Sequence, residues 1–146
     1  MRFLIINGPN LNLLGIREPK VYGKGTYKEL CGMITAHGEK IGVDTDIFQS
    51  NHEGAIVDRI QEALGVYDGI VINPAAYTHY SIAICDALKA VMIPYVEVHI
   101  SDISKREAFR QVSYVSEGAV KTVSGIGFEG YTEAMSILKK HITEVM

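Results

Sequence analysis

Gly69-Ile70-Val71-Ile72-Asn73 is an uncharged run with three β-branched residues in succession. A short apolar stretch of this kind, closed by Asn73-Pro74, suits a strand buried on both faces, as at the centre of a parallel sheet. Arg2 to Ile6, Val43 to Gln49, Pro94 to His99 and Ala119 to Ser124 are predicted as its companions. Stretches of helical period separate them. Thr26-Tyr27-Lys28-Glu29 is a capping-box pattern opening a helix with the apolar stripe Leu30, Met33, Ile34 and Ile41. Gly32 and Gly38 weaken that helix. Ser50-Asn51-His52-Glu53 is a second such pattern, ahead of Ile56, Ile60, Ala63 and Leu64. A third helix carries Ile84, Ala87, Leu88 and Val91, and Lys105 to Val112 is a short helical piece. The last helix follows Gly130 and turns Tyr131, Ala134, Met135, Leu138, Ile142 and Val145 inward.

Five βα alternations within 146 residues predict one doubly wound parallel sheet. The expected architecture is three-layered α/β/α and flavodoxin-like, a five-stranded sheet in the order 2-1-3-4-5, because right-handed crossovers leave few other routes. Residues 1–146 form a single catalytic domain in this reading. The chain is 47% apolar and 21% charged, with a net charge of −3, so a basic nucleic-acid footprint is absent. No apolar run reaches the roughly 18 residues that span a bilayer. The N-terminal stretch lacks a cleavage region and reads as a strand. Cys31 and Cys85 form neither a CxxC pair nor a disulfide framework, and both are expected as buried thiols of a cytoplasmic protein.

In such a sheet, chemistry gathers in the loops at the carboxyl ends of the strands. The connection from Asn7 to Gly25 is far longer than the roughly 2–6 residues usual there. Gly15, Gly23 and Gly25 bracket Arg17 and Tyr22, which predicts an active-site lid at about 15–25, its base anchored by Leu11, Leu13 and Leu14. Asn73-Pro74-Ala75-Ala76-Tyr77-Thr78-His79 leads into a helix N-terminus, suited to an anion or hydroxyl groups. Glu97 and His99, two apart on a strand, share a face, so the carboxylate can orient the imidazole as a proton donor or acceptor. Arg106 and Arg110 fall four apart on one helical face, either solvated or gripping a carboxylate. His37, His52, His79, His99 and His141 have no metal-ligand spacing, and His37 and His141 read as ordinary helix-surface residues. Ser124 to Gly130 is glycine-rich but follows the last strand, so it reads as a tight turn near the ligand.

Asn7-Gly-Pro-Asn-Leu-Asn-Leu-Leu-Gly15 and Arg17-Glu-Pro-x-x-Tyr22-Gly resemble the opening signature of type II dehydroquinases. Gln49-Ser-Asn-His-Glu-Gly54, Asn73 to His79, Glu97-Val-His99-Ile-Ser101 and Arg106-Glu-Ala-Phe-Arg110 resemble further family motifs in the family's order. The resemblance implies a 3-dehydroquinate dehydratase: a hydro-lyase giving 3-dehydroshikimate through an enolate, in the shikimate pathway or in quinate breakdown. No cofactor, metal or lysine Schiff base is implied. Tyr22 would take the proton beside the ketone. Since a free tyrosine titrates near ~10, a neighbouring cation is needed, and Arg17 is its expected source. Asn10 would hold a water against the enolate oxygen. His99, oriented by Glu97, would protonate the departing hydroxyl. Ile100 and Ser101 would bind the carboxylate, while Asn73, His79, Arg106 and Arg110 would grip the carboxylate side and ring hydroxyls. Asp86 resembles a residue reaching a neighbouring subunit's site, in a homododecamer built as a tetramer of trimers. The chain departs from the family pattern at Ala75 (Gly), Tyr80 (Thr), Lys121 and Thr122. Ala75 would tighten the turn near Asn73, and Tyr80 would alter a subunit contact or pocket edge.

Other classes fit less well. A flavin-binding module wants a Ser/Thr-rich loop after the first strand, and a phospho-receiver wants acidic residues there; Asn7 and Asn10 supply neither. An inactive paralogue would have lost at least one of the proposed catalytic groups.

Overall fold

The computed structural model describes residues 1–146. Strands β1 (Arg2–Asn7), β2 (Asp44–Gln49), β3 (Gly69–Asn73), β4 (Tyr95–His99) and β5 (Lys121–Ser124) form one parallel sheet in the order β2-β1-β3-β4-β5. That is the expected flavodoxin-like order. Besides the short helical turn α1 (Pro19–Tyr22), the helices are α2 (Tyr27–Ile41), α3 (Glu53–Glu62), α4 (Ile82–Val91) and α5 (Glu129–Val145). None is long and apolar enough to cross a membrane.

The period of two along the strands builds two cores. Phe3, Ile5, Val71, Val96 and Val98 pack under α2 and α5 with Leu30, Ile34, Met135 and Leu138. Leu4, Ile6, Ile70 and Ile72 face the other way, onto Ile56, Ile60, Ile84 and Leu88 of α3 and α4. Each such side chain, fully withdrawn from water, contributes ~1.5–3 kcal/mol before conformational entropy is charged against it. β3 is buried along its whole length, as its composition predicts.

Thr26 caps α2 by accepting from the Glu29 amide, and Gly42 closes it in the left-handed region. Gly38 is required by packing: a Cβ there would meet the Val43 carbonyl oxygen at 2.8 Å. Nothing in the structure explains Gly32. The second capping box does not form. α3 starts at Glu53, while Ser50 Oγ accepts from the His52 amide and Glu53 takes the hydroxyl of Ser81, the N-cap of α4. Leu64 lies beyond the end of α3 and is exposed, as is Val145 where α5 runs out past the sheet. Cys85 is buried but Cys31 is only partly so, because it sits at the side of the α2 stripe.

The long connection after β1 contains a 3-10 turn at Leu11–Leu13 and then α1. Leu11 and Leu14 anchor it in the α2/α5 core; Leu13 points to solvent because a 3-10 turn cannot bring three leucines to one side. The two ends of the lid segment meet. A Cβ on Gly15 would lie 3.1 Å from Thr26 Cγ2, and one on Gly25 would lie 2.5 Å from Cε2 of Phe128. The segment therefore hangs from a closed, tightly packed base.

Candidate active site

β4 ends the sheet side of the site. Glu97 and His99 share its α4-facing side, and the register places Glu97 beside Ile72 of β3 and Thr122 of β5. Glu97 is fully buried. Its carboxylate accepts hydroxyls from Thr78, from Ser113 (2.7 Å) and from Thr122 (3.0 Å). Burial alone pushes this carboxyl up, but His99 and the hydroxyls of Thr78 and Ser113 outweigh it and hold it below the usual carboxylate range. Nε2 of His99 lies 3.0 Å from Oε2 of Glu97, close but not aligned as a good hydrogen bond.

His79 closes the opposite wall. Its Nδ1 contacts the Val112 carbonyl at 2.7 Å; a carbonyl only accepts, so Nδ1 carries the hydrogen. Burial, with His99 and Arg110 nearby, holds this imidazole below the ordinary histidine value despite that bond. Neutral His79 therefore offers Nε2 as an acceptor. Asn73 ends β3, and its side-chain oxygen accepts from the Ala75 amide at 3.1 Å. Ala75 holds φ at +52°, a left-handed conformation that a Cβ resists. Ala75, expected from the resemblance as a departure from glycine, thus falls at a turn position whose backbone favours glycine.

The lid side is held by cations. The guanidinium carbon of Arg17 stacks 4.3 Å from the Tyr22 ring centroid, while Nη1 of Arg106 donates to the Tyr22 hydroxyl (3.3 Å) and to Ser101 Oγ (3.2 Å). Arg17 is thus beside Tyr22 as expected, over its ring face, and Arg106 adds a second cation at the oxygen. Lys105 to Val112 is not one helix. It consists of 3-10 turns at Ile103–Lys105 and Ala108–Arg110, broken at Arg106, whose backbone is extended and whose carbonyl accepts from the Gln111 side chain. The break, not a helical face, turns both arginines to the same cleft.

Arg17 and Tyr22 of the lid line one cleft with Asn73, His79 and His99 of the strand ends. Ile100, Ser101, Arg106 and Arg110 also line it. Asn10 and Asp86 stand outside it. Asn10 is exposed with its amide on Asn51 Oδ1 (3.0 Å), and Asp86 is exposed on α4. The cavity measures about 30 Å³, on the order of one or two waters. Sequence reasoning missed Leu11 and Ile103 in its wall and Thr78, Ser113 and Thr122 around Glu97. Only Thr122 carried a signal, through its register with Glu97 once β4 and β5 are paired. No cluster of three or more His, Cys, Asp or Glu residues is arranged to hold a metal ion. A phenol under two guanidinium groups, facing an imidazole backed by a buried carboxylate, can move protons on and off an anionic ligand.

The family described as dehydroquinase class II matches residues 1–139. The chain is 50% identical to the 3-dehydroquinate dehydratase of Clostridium acetobutylicum over 144 residues, covering 99% of this chain and 100% of that one. It is 53% identical over 141 residues to the catabolic 3-dehydroquinase of Verticillium alfalfae, covering 97% and 94%. The solved structure of type II dehydroquinase from Butyrivibrio crossotus superposes with a TM-score of 0.94 at 49% identity, covering 95% of this chain and 97% of that one.

Proposed function

This chain belongs to the class II dehydroquinase family and is a hydro-lyase that removes water from 3-dehydroquinate, and on that footing we propose how its residues divide the reaction. Tyr22, as its phenolate, takes the proton from the carbon next to the ketone. Arg106 donates to that oxygen and Arg17 covers the ring, so two cations stand at the base. The electron pair moves into an enolate, whose oxygen is met by a water held by Asn10. This last role requires Asn10 to turn inward when substrate enters. The enolate then expels the hydroxyl, which leaves as water after taking a proton from His99. The net change is one C–H and one C–O bond broken, one C=C bond formed and one water released. Glu97 stabilises the protonated imidazole without accepting its proton, since its oxygens are already occupied by three hydroxyl donors. Ile100, Ser101 and Arg110 suit the substrate carboxylate, and Asn73 and His79 its ring hydroxyls. Side chains perform every proton transfer in this scheme, so it calls for no cofactor.

The observation that carries the reading is the juxtaposition of an arginine-bound tyrosine with a glutamate-backed histidine in one cleft. The cleft is far too small for a six-membered carbocycle, so the lid must lift to admit substrate. The proposed assembly is a dodecamer, a tetramer of trimers in which Asp86 reaches a neighbour's cleft. Exposed Tyr80 and Ile82 beside Asp86 support such a contact. A cytoplasmic location accords with two unpaired cysteines.

The test is a continuous ultraviolet assay of 3-dehydroquinate turnover, following the conjugated enone-carboxylate with a metal chelator throughout. A chelator-resistant rise that His99→Asn abolishes is expected. Metal-dependent turnover, or full activity in His99→Asn, would overturn the scheme.

A further inference from the structure

Asn7 and Asn73 end the adjacent strands β1 and β3 in register, and both are buried. Between them, from the opposite layer, comes the wholly buried hydroxyl of Tyr131 on α5. The direction of every bond here is fixed by one group. The Ala75 backbone N–H can only donate, so the atom of Asn73 facing it at 3.1 Å is Oδ1. Nδ2 of Asn73 must then face Tyr131 Oη, at 2.8 Å, and the hydroxyl accepts there. Having accepted from one amide, the tyrosine gives its own hydrogen to Oδ1 of Asn7, at 2.6 Å. Asn7 is thereby oriented with Nδ2 toward the Tyr27 hydroxyl, a long contact of 3.5 Å.

The consequence reaches the cleft. Nδ2 of Asn73 carries two hydrogens, and Tyr131 takes one. The second has no protein acceptor, and Asn73 lines the cleft. We infer that Tyr131 is a positioning residue for the reaction: the Ala75 N–H selects the edge of the Asn73 amide, and the Tyr131 hydroxyl, as its second anchor, holds that amide still so that an N–H stays aimed at the substrate. Asn73 then binds by donating to a substrate oxygen, complementing neutral His79, which accepts through Nε2. Without the lock, the amide keeps only its bond from the Ala75 N–H and can swing about it, so its free N–H loses its aim at the ligand. This inference rests on the reading of Asn73 as a substrate-binding residue.

Tyr131→Phe keeps the ring and its packing and removes only the lock. In the assembled enzyme its KM for 3-dehydroquinate should rise about tenfold, the size of one lost hydrogen bond, while kcat changes by less than about threefold. The rise should vanish when Asn73→Ala is introduced first, because there is then no amide left to orient. A lower Tm with unchanged KM would make Tyr131 merely structural and overturn the inference, as would an additive double-mutant cycle. If Asn73→Ala itself leaves KM unchanged, the subsite reading falls as well. If Asn73→Ala raises KM and Tyr131→Phe does not, only the positioning role falls. Should Tyr131→Phe fail to fold, Asn7→Ala probes the same lock by removing the acceptor of the tyrosine hydrogen. A several-fold rise in KM is expected there, and an unchanged KM overturns the inference.

Discussion

His99 stands at the end of a strand whose five residues are all buried, whereas Tyr22 stands on a four-residue helical turn with nothing buried. Behind His99 lies Glu97, tied by hydroxyls from three other parts of the chain. Tyr22 is held by an arginine from its own loop, by one from across the cleft and, at its ring, by the edge of the α2/α5 core. The sheet half of the site is therefore pre-organised and can be disturbed only at a cost in stability. The lid half is delivered by α1, a single turn with no buried residue, hung between the packed ends at Gly15 and Gly25. The proton donor proposed at the sheet end thus sits in a fixed setting, while the base proposed on the lid takes its two cations from loops.

The sharpest test removes one atom from the lid half. Tyr22→Phe should lower kcat by ~10² or more, about 2.7 kcal/mol in the barrier, with Tm unchanged. Near-normal turnover in that variant would take the base away from the lid and erase the contrast. Glu97→Gln should do the reverse and strike stability. It introduces an amide N–H₂ among hydroxyls that already point inward, at a cost of ~1–3 kcal/mol. The pH dependence has a definite sign. The folded value of Glu97 is held below the unfolded value of about 4.3, so its contribution is fully present above that pH. It disappears as pH falls through the folded value. Denaturant titrations below about pH 4 should therefore show the parent losing stability more steeply than Glu97→Gln; parallel slopes would mean that the carboxylate is not favoured by its cage.

What the chain discloses in advance divides along similar lines. The strand order and the Glu97–His99 pairing follow from local periods, one apolar run and one spacing of two, which survive whatever the rest of the fold does. Arg106 and Arg110 were legible as residues but not as geometry. A spacing of four suggested one helix face, and the extended backbone at Arg106 delivers them by a different route. Thr78, Ser113 and Thr122 meet at Glu97 from 16 to 25 residues away, and no local pattern marks hydroxyls that converge only after folding. Tyr131 shows the same limit more sharply. Its place on the apolar stripe of α5 predicted its burial, while the two amides that use its hydroxyl lie at the other end of the chain and in its middle.

A smaller effect is expected where lid and scaffold touch. Gly25 rests against the Phe128 ring so closely that Gly25→Ala must displace one of them. Since the sheet lies elsewhere, the change should appear as a roughly tenfold loss in kcat/KM, ~1.4 kcal/mol, with little change in Tm. Phe128→Ala in the same chain should restore part of it by making room. If Gly25→Ala lowers Tm as much as activity, the lid base belongs to the core and the two halves are less independent than their burial suggests.

The smallest effect tests a strain on the sheet side. Ala75 is held at φ +52° by the hydrogen bond from its amide to Asn73, and its Cβ makes that conformation about 1–2 kcal/mol worse than it would be for glycine. Glycine returns part of this through its greater freedom when unfolded, by ~0.5–1 kcal/mol. Ala75→Gly should therefore stabilise the chain by only about 0.5–1 kcal/mol, read as a small rise in the denaturation midpoint. Its effect on KM is the more telling quantity. If the Asn73 amide is locked from behind by Tyr131, relaxing the turn in front of it leaves KM unaltered. A KM that moves with Ala75→Gly would mean that the strained turn, and not the buried hydroxyl, holds the aim of the Asn73 amide at the substrate.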